Sequence, residues 1–330
     1  MIRDHPGNRV KKSKNTPLTR CYTRDTIFVG IAPYTRAADL REVLIPKYFK
    51  EVIDMIKMLY QNINCKGGNE PFPVNDCKSL LYEENSTLDG FVFVEASQKS
   101  EGYEDFEEFA KDLGYSLYTA EVRAGQNQVI IGLRNNIKVL KTNGLGVVRP
   151  QKFTGRGLSA NSVSETEVVR PNYLRVVIEV DGLPENIIGA RIPSYDYIDK
   201  NGNVMPKVYN AELCSFRQME EALARDLTQV LCSRTVVFMD GNNARFLGSF
   251  DGPYDPEAYA GKAQKNYNLH ILRAEMLQHF GLIMKEKKDD YSYGPAHDDH
   301  AFFRGYDMDA VEATFFSHKG FDHKGIRAKF

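Results

Sequence analysis

The sequence of 330 residues contains no tryptophan and no stretch approaching the roughly 20 consecutive apolar residues that a membrane-spanning helix needs. Its first 20 residues also lack the apolar segment of a secretory signal. We therefore expect neither a helical membrane span nor a secretory leader, and we expect a cytoplasmic protein. The 19 phenylalanines and 18 tyrosines supply the aromatic volume that tryptophan does not.

The sequence also has few cysteines and almost no net charge. The five cysteines are odd in number and form no Cys-x-x-Cys pair, which argues against a zinc knuckle and is typical of free thiols in a reducing compartment. The 43 lysines and arginines nearly balance the 44 aspartates and glutamates, and the formal net charge is −1. No field of the whole protein attracts nucleic acid or an anionic membrane, so any basic surface must be local.

Apolar residues make up 42% of the sequence and aromatic residues 11%, which is enough for a sizeable core and too much for a disordered chain. Strand patterns alternate with helix patterns, which predicts one α/β domain over residues 26–330. Residues 1–25 are predicted to form a flexible basic arm, since the first 20 residues contain six lysines and arginines and one aspartate. Such an arm could contact a phosphate backbone or remain a solvated tail without a partner.

The predicted strands are short apolar runs, and the predicted helices repeat apolar residues at helical spacing. The longest predicted helix covers 37–63, and Pro46 is expected to break or kink its early part. Residues 129–133 and 137–140 are predicted to pair as a hairpin. The other predicted strands cover 27–32, 91–94, 173–180, 186–192, 235–239, 301–303, 311–316 and 326–330, and the other predicted helices 103–113, 210–231 and 269–280.

Residues able to bind a metal ion or transfer a proton occur at four strand or loop exits. One carboxylate after a strand is ordinary, but in open sheets ligands collect beyond one end of the strands, so four such exits favour a shared site. Carboxylate and amide oxygens suit a hard cation such as Mg²⁺, and a histidine beside them could act on a proton. The residues at these exits are Glu95, Asp240 with Asn242, Asp299 with His300, and Asp322 with His323.

Four segments, in this order, resemble motifs of the endonuclease/exonuclease/phosphatase superfamily, which includes DNase-I-like nucleases. Residues 91–95 (FVFVE) resemble the strand that ends in the family's metal-binding glutamate, and residues 236–244 (VVFMDGNNA) resemble its Gly-Asp-Phe-Asn-Ala motif. Residues 297–303 (HDDHAFF) are similar to the Ile-Asp-His-Ile-Phe strand, and residues 321–326 (FDHKGI) to the final Ser-Asp-His-Lys-Pro-Val motif. The resemblance implies a four-layer α/β sandwich, in which helices flank two packed mixed β-sheets.

The resemblance also implies roles for the residues in these motifs. Glu95 would hold Mg²⁺ or Mn²⁺, which neutralises charge on a phosphate oxygen, and Asp322 would be an accessory metal ligand. Asp240 would orient or deprotonate the attacking water, and Asn242 would donate a hydrogen bond to the phosphate. The product would be a hydrolysed phosphoester, formed by in-line attack.

His323 would contact the phosphate or accept a proton, and the carboxylate of Asp299 would keep it in place. Two positions depart from the family pattern. The predicted first strand leads into residues 31–34 (IAPY), which offer no asparagine where family members usually have one. After the middle strand, where the family has histidine or tyrosine, this sequence has Arg191. Its guanidinium can clamp a phosphate with two hydrogen bonds but cannot shuttle protons.

Three hypotheses remain open at this point. The leading one is a phosphodiesterase dependent on Mg²⁺ or Mn²⁺ whose partner is nucleic acid, in other words a nuclease that hydrolyses DNA or RNA. The second is a phosphatase or phosphodiesterase for a small molecule or lipid headgroup, which the near-zero net charge favours. The third is a phosphate-ester-binding protein on the same fold with impaired turnover, which the absent asparagine and Arg191 favour. Endo or exo action, one metal ion or two, and the oligomeric state are left open.

Overall fold

The structure is a computed structural model of the chain. It describes residues 55–65, 70–84, 88–119, 127–144, 172–192, 222–228, 232, 234–243, 276–277, 279–287 and 289–330. The chain divides into two compact units, Met1–Val52 and Ile53–Phe330, and all described residues belong to the second. The predicted basic arm and the predicted strand at 27–32 lie outside the described residues, so the predicted domain bounds stay a prediction.

Six strands form the first sheet: β1 (Lys57–Asn62), β2 (Gly90–Ala96), β3 (Tyr115–Thr119), β4 (Gln128–Arg134), β11 (Glu312–Phe316) and β12 (Gly325–Lys329). Their order across the sheet is β11-β12-β1-β2-β4-β3. The central strands β1 and β2 run parallel, and the other neighbouring pairs are antiparallel. Every residue of β2 is buried, as expected for a central strand that is covered on both faces.

Six further strands form the second sheet: β5 (Val139–Gly144), β6 (Asn172–Val180), β7 (Leu183–Arg191), β8 (Arg234–Asp240), β9 (Ile283–Met284) and β10 (Asp299–Arg304). Their order is β5-β6-β7-β8-β10-β9, and the central pair β7 and β8 is again the parallel one. Asp181 and Gly182 join β6 to β7 with positive φ angles of 52° and 76°, the conformation of a tight hairpin turn. This confirms the pair of strands predicted on either side of that turn.

Three apolar clusters separate four layers. One cluster lies between the two sheets, where the rings of Tyr60 and Phe238 stack at 6.0 Å. A second lies between the outer face of the first sheet and the helices α1 (Val74–Glu84) and α2 (Tyr103–Asp112). A third lies between the outer face of the second sheet and the helical residues 222–227. The predicted four-layer α/β sandwich is therefore confirmed.

Two predictions of secondary structure were wrong. The end of the predicted helix over 37–63 is strand β1 in the structure. The sequence misled here because a central strand is buried on both faces, so its apolar residues do not show the alternation that identifies a strand. The predicted hairpin does not form either. Its two strands belong to different sheets, since β4 pairs with β2 and β3 while β5 pairs with β6. The turn between them carries the chain from one sheet to the other.

Among the described residues, no helix has the length and apolar character that crossing a bilayer requires.

Candidate active site

Four of the side chains at the site leave the sandwich where the central parallel strands of both sheets end. Asn62 is the last residue of β1, and Glu95 lies one residue before the end of β2. Arg191 and Asp240 are the last residues of β7 and β8, and they are register partners. Because parallel strands end at the same edge of a sheet, residues that are far apart in the sequence come together here.

Three residues at this edge have a left-handed backbone, which is uncommon for residues other than glycine. Asn64, Glu95 and Asn242 have φ angles of 49°, 52° and 48°. The register between β2 and β4 also shifts between Phe93 and Ala96, so the strand is irregular where the Glu95 carboxylate leaves it. Conformations of this kind persist where the surrounding structure enforces them, and they concentrate at functional sites.

The carboxylate of Asp240 is buried and accepts hydrogen bonds on both oxygens. Oδ1 accepts from the backbone N–H of Asn242 at 3.0 Å, and Oδ2 accepts from the amide of Asn62 at 3.1 Å. Nε of Arg191 lies 3.3 Å from Oδ2. Burial, followed by the charge of Asp299, raises the pKa of Asp240 to about 8. Asp240 is therefore a stronger base than an ordinary aspartate.

Arg191 connects the two sheets at this edge through an ion pair with Glu95. Nε and Nη2 of Arg191 lie 2.6 Å and 2.5 Å from the same oxygen, Oε1 of Glu95. The arginine and glutamate side chains are 15% and 12% exposed, so water screens this pair only in part. The guanidinium thus contacts one carboxylate from each sheet, Glu95 from β2 and Asp240 from β8.

His323 and Asp299 form a second charged pair at the same edge. Nδ1 of His323 lies 2.6 Å from Oδ2 of Asp299, and the hydroxyl of Tyr60 donates to Oδ1 of Asp299 at 2.5 Å. Burial lowers the pKa of His323, but the charge and hydrogen bond of Asp299 outweigh it and raise that pKa to about 9. The ring is therefore an imidazolium at neutral pH. Its Nδ1–H donates to Asp299, and Nε2–H is a second donor.

Two neighbours fix the position of His323. The side-chain amide of Gln61 on β1 donates to the backbone carbonyl of His323 at 3.0 Å. The ring of Tyr293 stacks on the imidazole, with centroids 4.7 Å apart and planes 25° from parallel. Tyr293 is 45% exposed, so its ring forms part of the outer surface beside the site.

The structure shows specific contacts for the two remaining residues of the implied site. The amide of Asn242 donates to the carbonyl of Ile192 at 2.8 Å, which ties the segment after β8 to the segment after β7. Oδ2 of Asp322 accepts from the amide of Asn64 at 3.1 Å. These contacts place both residues near the edge, and the roles in phosphate and metal binding that the resemblance implies for them stay predictions.

His300 is adjacent to Asp299 in the sequence but makes a separate, buried set of contacts. Successive side chains of a strand point to opposite faces, so His300 points away from Asp299. Its Nδ1 contacts Oε2 of Glu286 at 2.7 Å, and its Nε2 contacts Oδ1 of Asn243 at 2.7 Å. His300 therefore supports the segment after β8 and does not belong to the group around His323.

Asn62, Tyr60 and Tyr293 belong to the site and were not predicted from the sequence. The sequence also predicted that no asparagine stands at the end of the first strand of the domain, and this prediction is wrong. In the structure, the strand parallel to β2 is β1, and it ends on Asn62, whose amide contacts Asp240. A signal was present in the sequence, because a short apolar run, residues 58–60, is followed directly by Gln61 and Asn62. Helical spacing in the same segment concealed it.

The described residues do not fit the divalent-cation site that the resemblance implies. Among them, no cluster of three or more histidine, cysteine, aspartate or glutamate side chains could hold a metal ion. Oε1 of Glu95 is already contacted by two nitrogens of Arg191, and Asp322 accepts a hydrogen bond from Asn64. A Mg²⁺ ion would need the Glu95 oxygen at about 2.1 Å, beside a guanidinium of like charge. We therefore assign no chemical step to a metal ion.

Comparison with known proteins gives similarity of structure only. No family model matches the sequence, and a search of curated proteins found no match. An AP endonuclease from Archaeoglobus fulgidus superposes with a TM-score of 0.51 at 14% identity, over 83% of this chain and 98% of that one. TDP2 from D. rerio, complexed with a single-strand DNA product, superposes with a TM-score of 0.50 at 13% identity, over 83% and 98% of the two chains. At these identities the likeness is one of fold.

Proposed function

The chain has the DNase-I-like fold of the endonuclease/exonuclease/phosphatase superfamily, and from its site we propose that it is a phosphodiesterase that hydrolyses DNA or RNA. The supporting observation is one cluster at the edge of the sandwich, in which Asp240, a buried carboxylate of raised pKa, interacts with the cations Arg191 and His323. Hydrolysis of a phosphate diester needs a base for the attacking water and positive charge near the phosphate oxygens. This cluster supplies both.

In the proposed step, the oxygen of a water molecule forms a bond to phosphorus while the ester P–O bond breaks. The proton of the water passes to the carboxylate of Asp240, and the leaving oxygen keeps the bonding electron pair and takes a proton from solvent. His323, an imidazolium held by Asp299, donates a hydrogen bond to a phosphate oxygen from Nε2. Arg191 adds permanent positive charge beside the same phosphate.

Nucleic acid as the substrate is the finer part of this proposal. One of the two superposed structures is an endonuclease and the other is a complex with a single-strand DNA product, which supports DNA or RNA over a small ester. The exposed ring of Tyr293 beside His323 also suits a nucleotide, because bases stack on aromatic side chains. The proposed step does not use the Mg²⁺ or Mn²⁺ that the resemblance implies, because Arg191 already pairs with Glu95, and dependence on either metal ion is the alternative that the assay tests.

The test is an assay of plasmid DNA, single-stranded DNA and RNA, each with Mg²⁺, with Mn²⁺ and with EDTA. We expect hydrolysis of at least one nucleic acid by the wild type and a loss of at least about a hundredfold in Asp240→Asn, since a general base contributes roughly 10² to 10⁴. Asp309→Asn, at an exposed aspartate, is the matched control and should keep wild-type activity. Cleavage that survives in Asp240→Asn would remove this carboxylate from the mechanism.

The pH dependence of that activity follows from the two raised pKa values. Asp240 must be deprotonated, so the rate should rise as the pH passes through about 8. His323 must be protonated, so the rate should fall as the pH passes through about 9. The expected profile is a narrow bell with its maximum between these values, and the two apparent values belong to the coupled pair. A rate that is flat from pH 6 to pH 10 would contradict both assignments.

A second candidate function is a protein that binds phosphate esters without efficient turnover. The ion pair of Arg191 with Glu95 favours it, because this pair engages the carboxylate that the resemblance assigns to metal binding. A panel of nucleic acids and small phosphoesters separates the candidates. Binding of a fluorescent oligonucleotide with no hydrolysis of any substrate supports the second candidate, and turnover of small esters alone supports a phosphatase.

A further inference from the structure

Arg191 occupies the position at which the resemblance places histidine or tyrosine, and its guanidinium contacts two carboxylates at once. Nε lies 2.6 Å from Oε1 of Glu95 and 3.3 Å from Oδ2 of Asp240, and Nη2 lies 2.5 Å from Oε1 of Glu95. All three side chains are largely buried. A permanent positive charge is therefore held against the two carboxylates to which the resemblance assigns the metal ion and the attacking water.

The backbone of the two sheets fixes this arrangement. Arg191 and Asp240 are register partners on parallel strands, so their side chains leave the second sheet at the same level. Glu95 reaches them from the first sheet. Its backbone is left-handed, with a φ of 52°, and its carbonyl accepts a hydrogen bond from the backbone N–H of Cys65 at 2.8 Å. The contact therefore depends on strand ends rather than on a long loop.

A guanidinium and a divalent cation beside Glu95 compete for the same carboxylate. Arginine keeps its charge at every pH at which proteins are folded, and it binds carboxylates with directed hydrogen bonds. A Mg²⁺ or Mn²⁺ ion would have to bond to the Glu95 carboxylate directly, at about 2.1 Å, close to the arginine nitrogens. Like charges at this distance in a partly dehydrated site repel strongly, so occupation by one excludes the other.

We propose that Arg191 is a built-in cation that excludes divalent metal ions from Glu95 and neutralises the Glu95 and Asp240 carboxylates in their place. As a consequence, the site binds a phosphate diester without added metal. This consequence rests on the proposed function, whereas the exclusion of metal ions does not.

Calorimetric titration of the full-length, EDTA-treated protein with Mn²⁺ alone tests the exclusion. Arg191→Gln removes the positive charge and frees Glu95, so we expect it to bind Mn²⁺ at least tenfold more tightly than the wild type. The double variant Arg191→Gln with Glu95→Gln should lose that gain, because it removes the ligand that the first change exposes. Equal Mn²⁺ affinity of the wild type and a folded Arg191→Gln would overturn the proposal.

The matched control is an arginine–glutamate pair on β7 and β8, the two strands that carry Arg191 and Asp240. At the opposite ends of β7 and β8, Nη1 of Arg234 lies 2.7 Å from Oε1 of Glu185, and the two residues are register partners. Arg234→Gln also removes one arginine from beside one glutamate, but it leaves the candidate site unchanged. It should bind Mn²⁺ as weakly as the wild type. A gain equal to that of Arg191→Gln would show that unpairing any glutamate suffices, and would overturn the proposal.

Folding of each variant is checked by circular dichroism, and one comparison does not need Arg191→Gln at all. The wild type and Glu95→Gln should bind Mn²⁺ equally weakly. If Glu95→Gln bound Mn²⁺ more than tenfold more weakly than the wild type, Glu95 would already be a metal ligand, and the exclusion would be contradicted.

A second readout tests the consequence that the site binds a phosphate diester without added metal. In EDTA, a fluorescent phosphorothioate oligonucleotide should bind the wild type at least tenfold more tightly than Arg191→Gln. Equal binding there, with the Mn²⁺ result intact, would contradict the phosphate-binding role alone.

Discussion

Replacing Asp299 by asparagine tests the charged pair at the centre of the site. Oδ2 of Asp299 lies 2.6 Å from Nδ1 of His323, and the charge and hydrogen bond of Asp299 raise the pKa of His323 from 6.5 to about 9. The asparagine side chain would keep a similar shape and could still accept the hydrogen bond of Tyr60, but it carries no charge. Burial, which lowers the pKa of His323, would then be opposed only by the charges of Asp240 and Asp322, and we expect that pKa to fall well below 9, towards 6.5.

The magnitude follows from the same values. One pKa unit corresponds to about 1.4 kcal/mol, so the rise from 6.5 to about 9 favours the protonated ring by about 3 kcal/mol. Because the pKa of His323 is higher in the folded state, this contribution to the free energy of unfolding is fully present below pH 6.5. It is lost as the pH rises through about 9. The pKa of Asp240 is also raised, from 3.8 to about 8, so its contribution to the free energy of unfolding is likewise lost as the pH rises, in this case between those two values.

The assay is a pH titration of the histidine ring signals by NMR. The sequence has seven histidines, and the signal that disappears in His323→Gln identifies the relevant one. We expect it to titrate near pH 9 in the wild type and in the surface control Asp309→Asn, and well below 9, towards 6.5, in Asp299→Asn. A wild-type His323 that titrates near 6.5, or an unchanged value in Asp299→Asn, would refute the reasoning.

Two further predictions concern stability and are checked by urea unfolding. Gly189→Ala should lower the free energy of unfolding by about 1–3 kcal/mol, because its Cβ would lie 2.5 Å from Cγ1 of Val129 between the sheets. The control is Gly144→Ala, whose Cβ would have its nearest neighbour 3.7 Å away and which should change the free energy of unfolding by less than about 1 kcal/mol. Asp226→Leu should cost about 3–5 kcal/mol, since it leaves the buried guanidinium of Arg175, now 3.3 Å from that carboxylate, without this counter-charge. A loss below about 1 kcal/mol in either Gly189→Ala or Asp226→Leu would contradict the packing described.

The strands that position the site were predictable where an apolar run stops abruptly on a polar residue. This held for Glu95 near the end of β2 and for Asp240 at the end of β8, because both strands are buried and short. Arg191 was found only by the motif comparison, since the predicted strand continued to residue 192, and in the structure it is the last residue of β7. The order of these segments was enough to predict the four-layer sandwich, although each segment alone is a weak signal.

Other features depend on pairings that a local pattern does not contain. Strand β1 has apolar residues at helical spacing, and only its parallel pairing with β2 shows that it is a strand and that Asn62 faces Asp240. Strands β4 and β5 look like a hairpin because the turn between them is short, but each finds its partners in a different sheet. The contact of Arg191 with Glu95 spans both sheets, so no sequence pattern could predict it.

A crystal structure of Asp240→Asn with a short single-stranded oligonucleotide would test the central claim most directly. Arg191 ends β7 beside Asp240, His323 lies in the loop before β12 beside Asp299, and we expect the two side chains to bind one phosphate together. We predict a phosphate whose oxygens lie within hydrogen-bond distance of the Arg191 guanidinium and of Nε2 of His323. An oligonucleotide bound with every phosphate more than about 10 Å from both side chains, well beyond hydrogen-bond reach, would contradict the account.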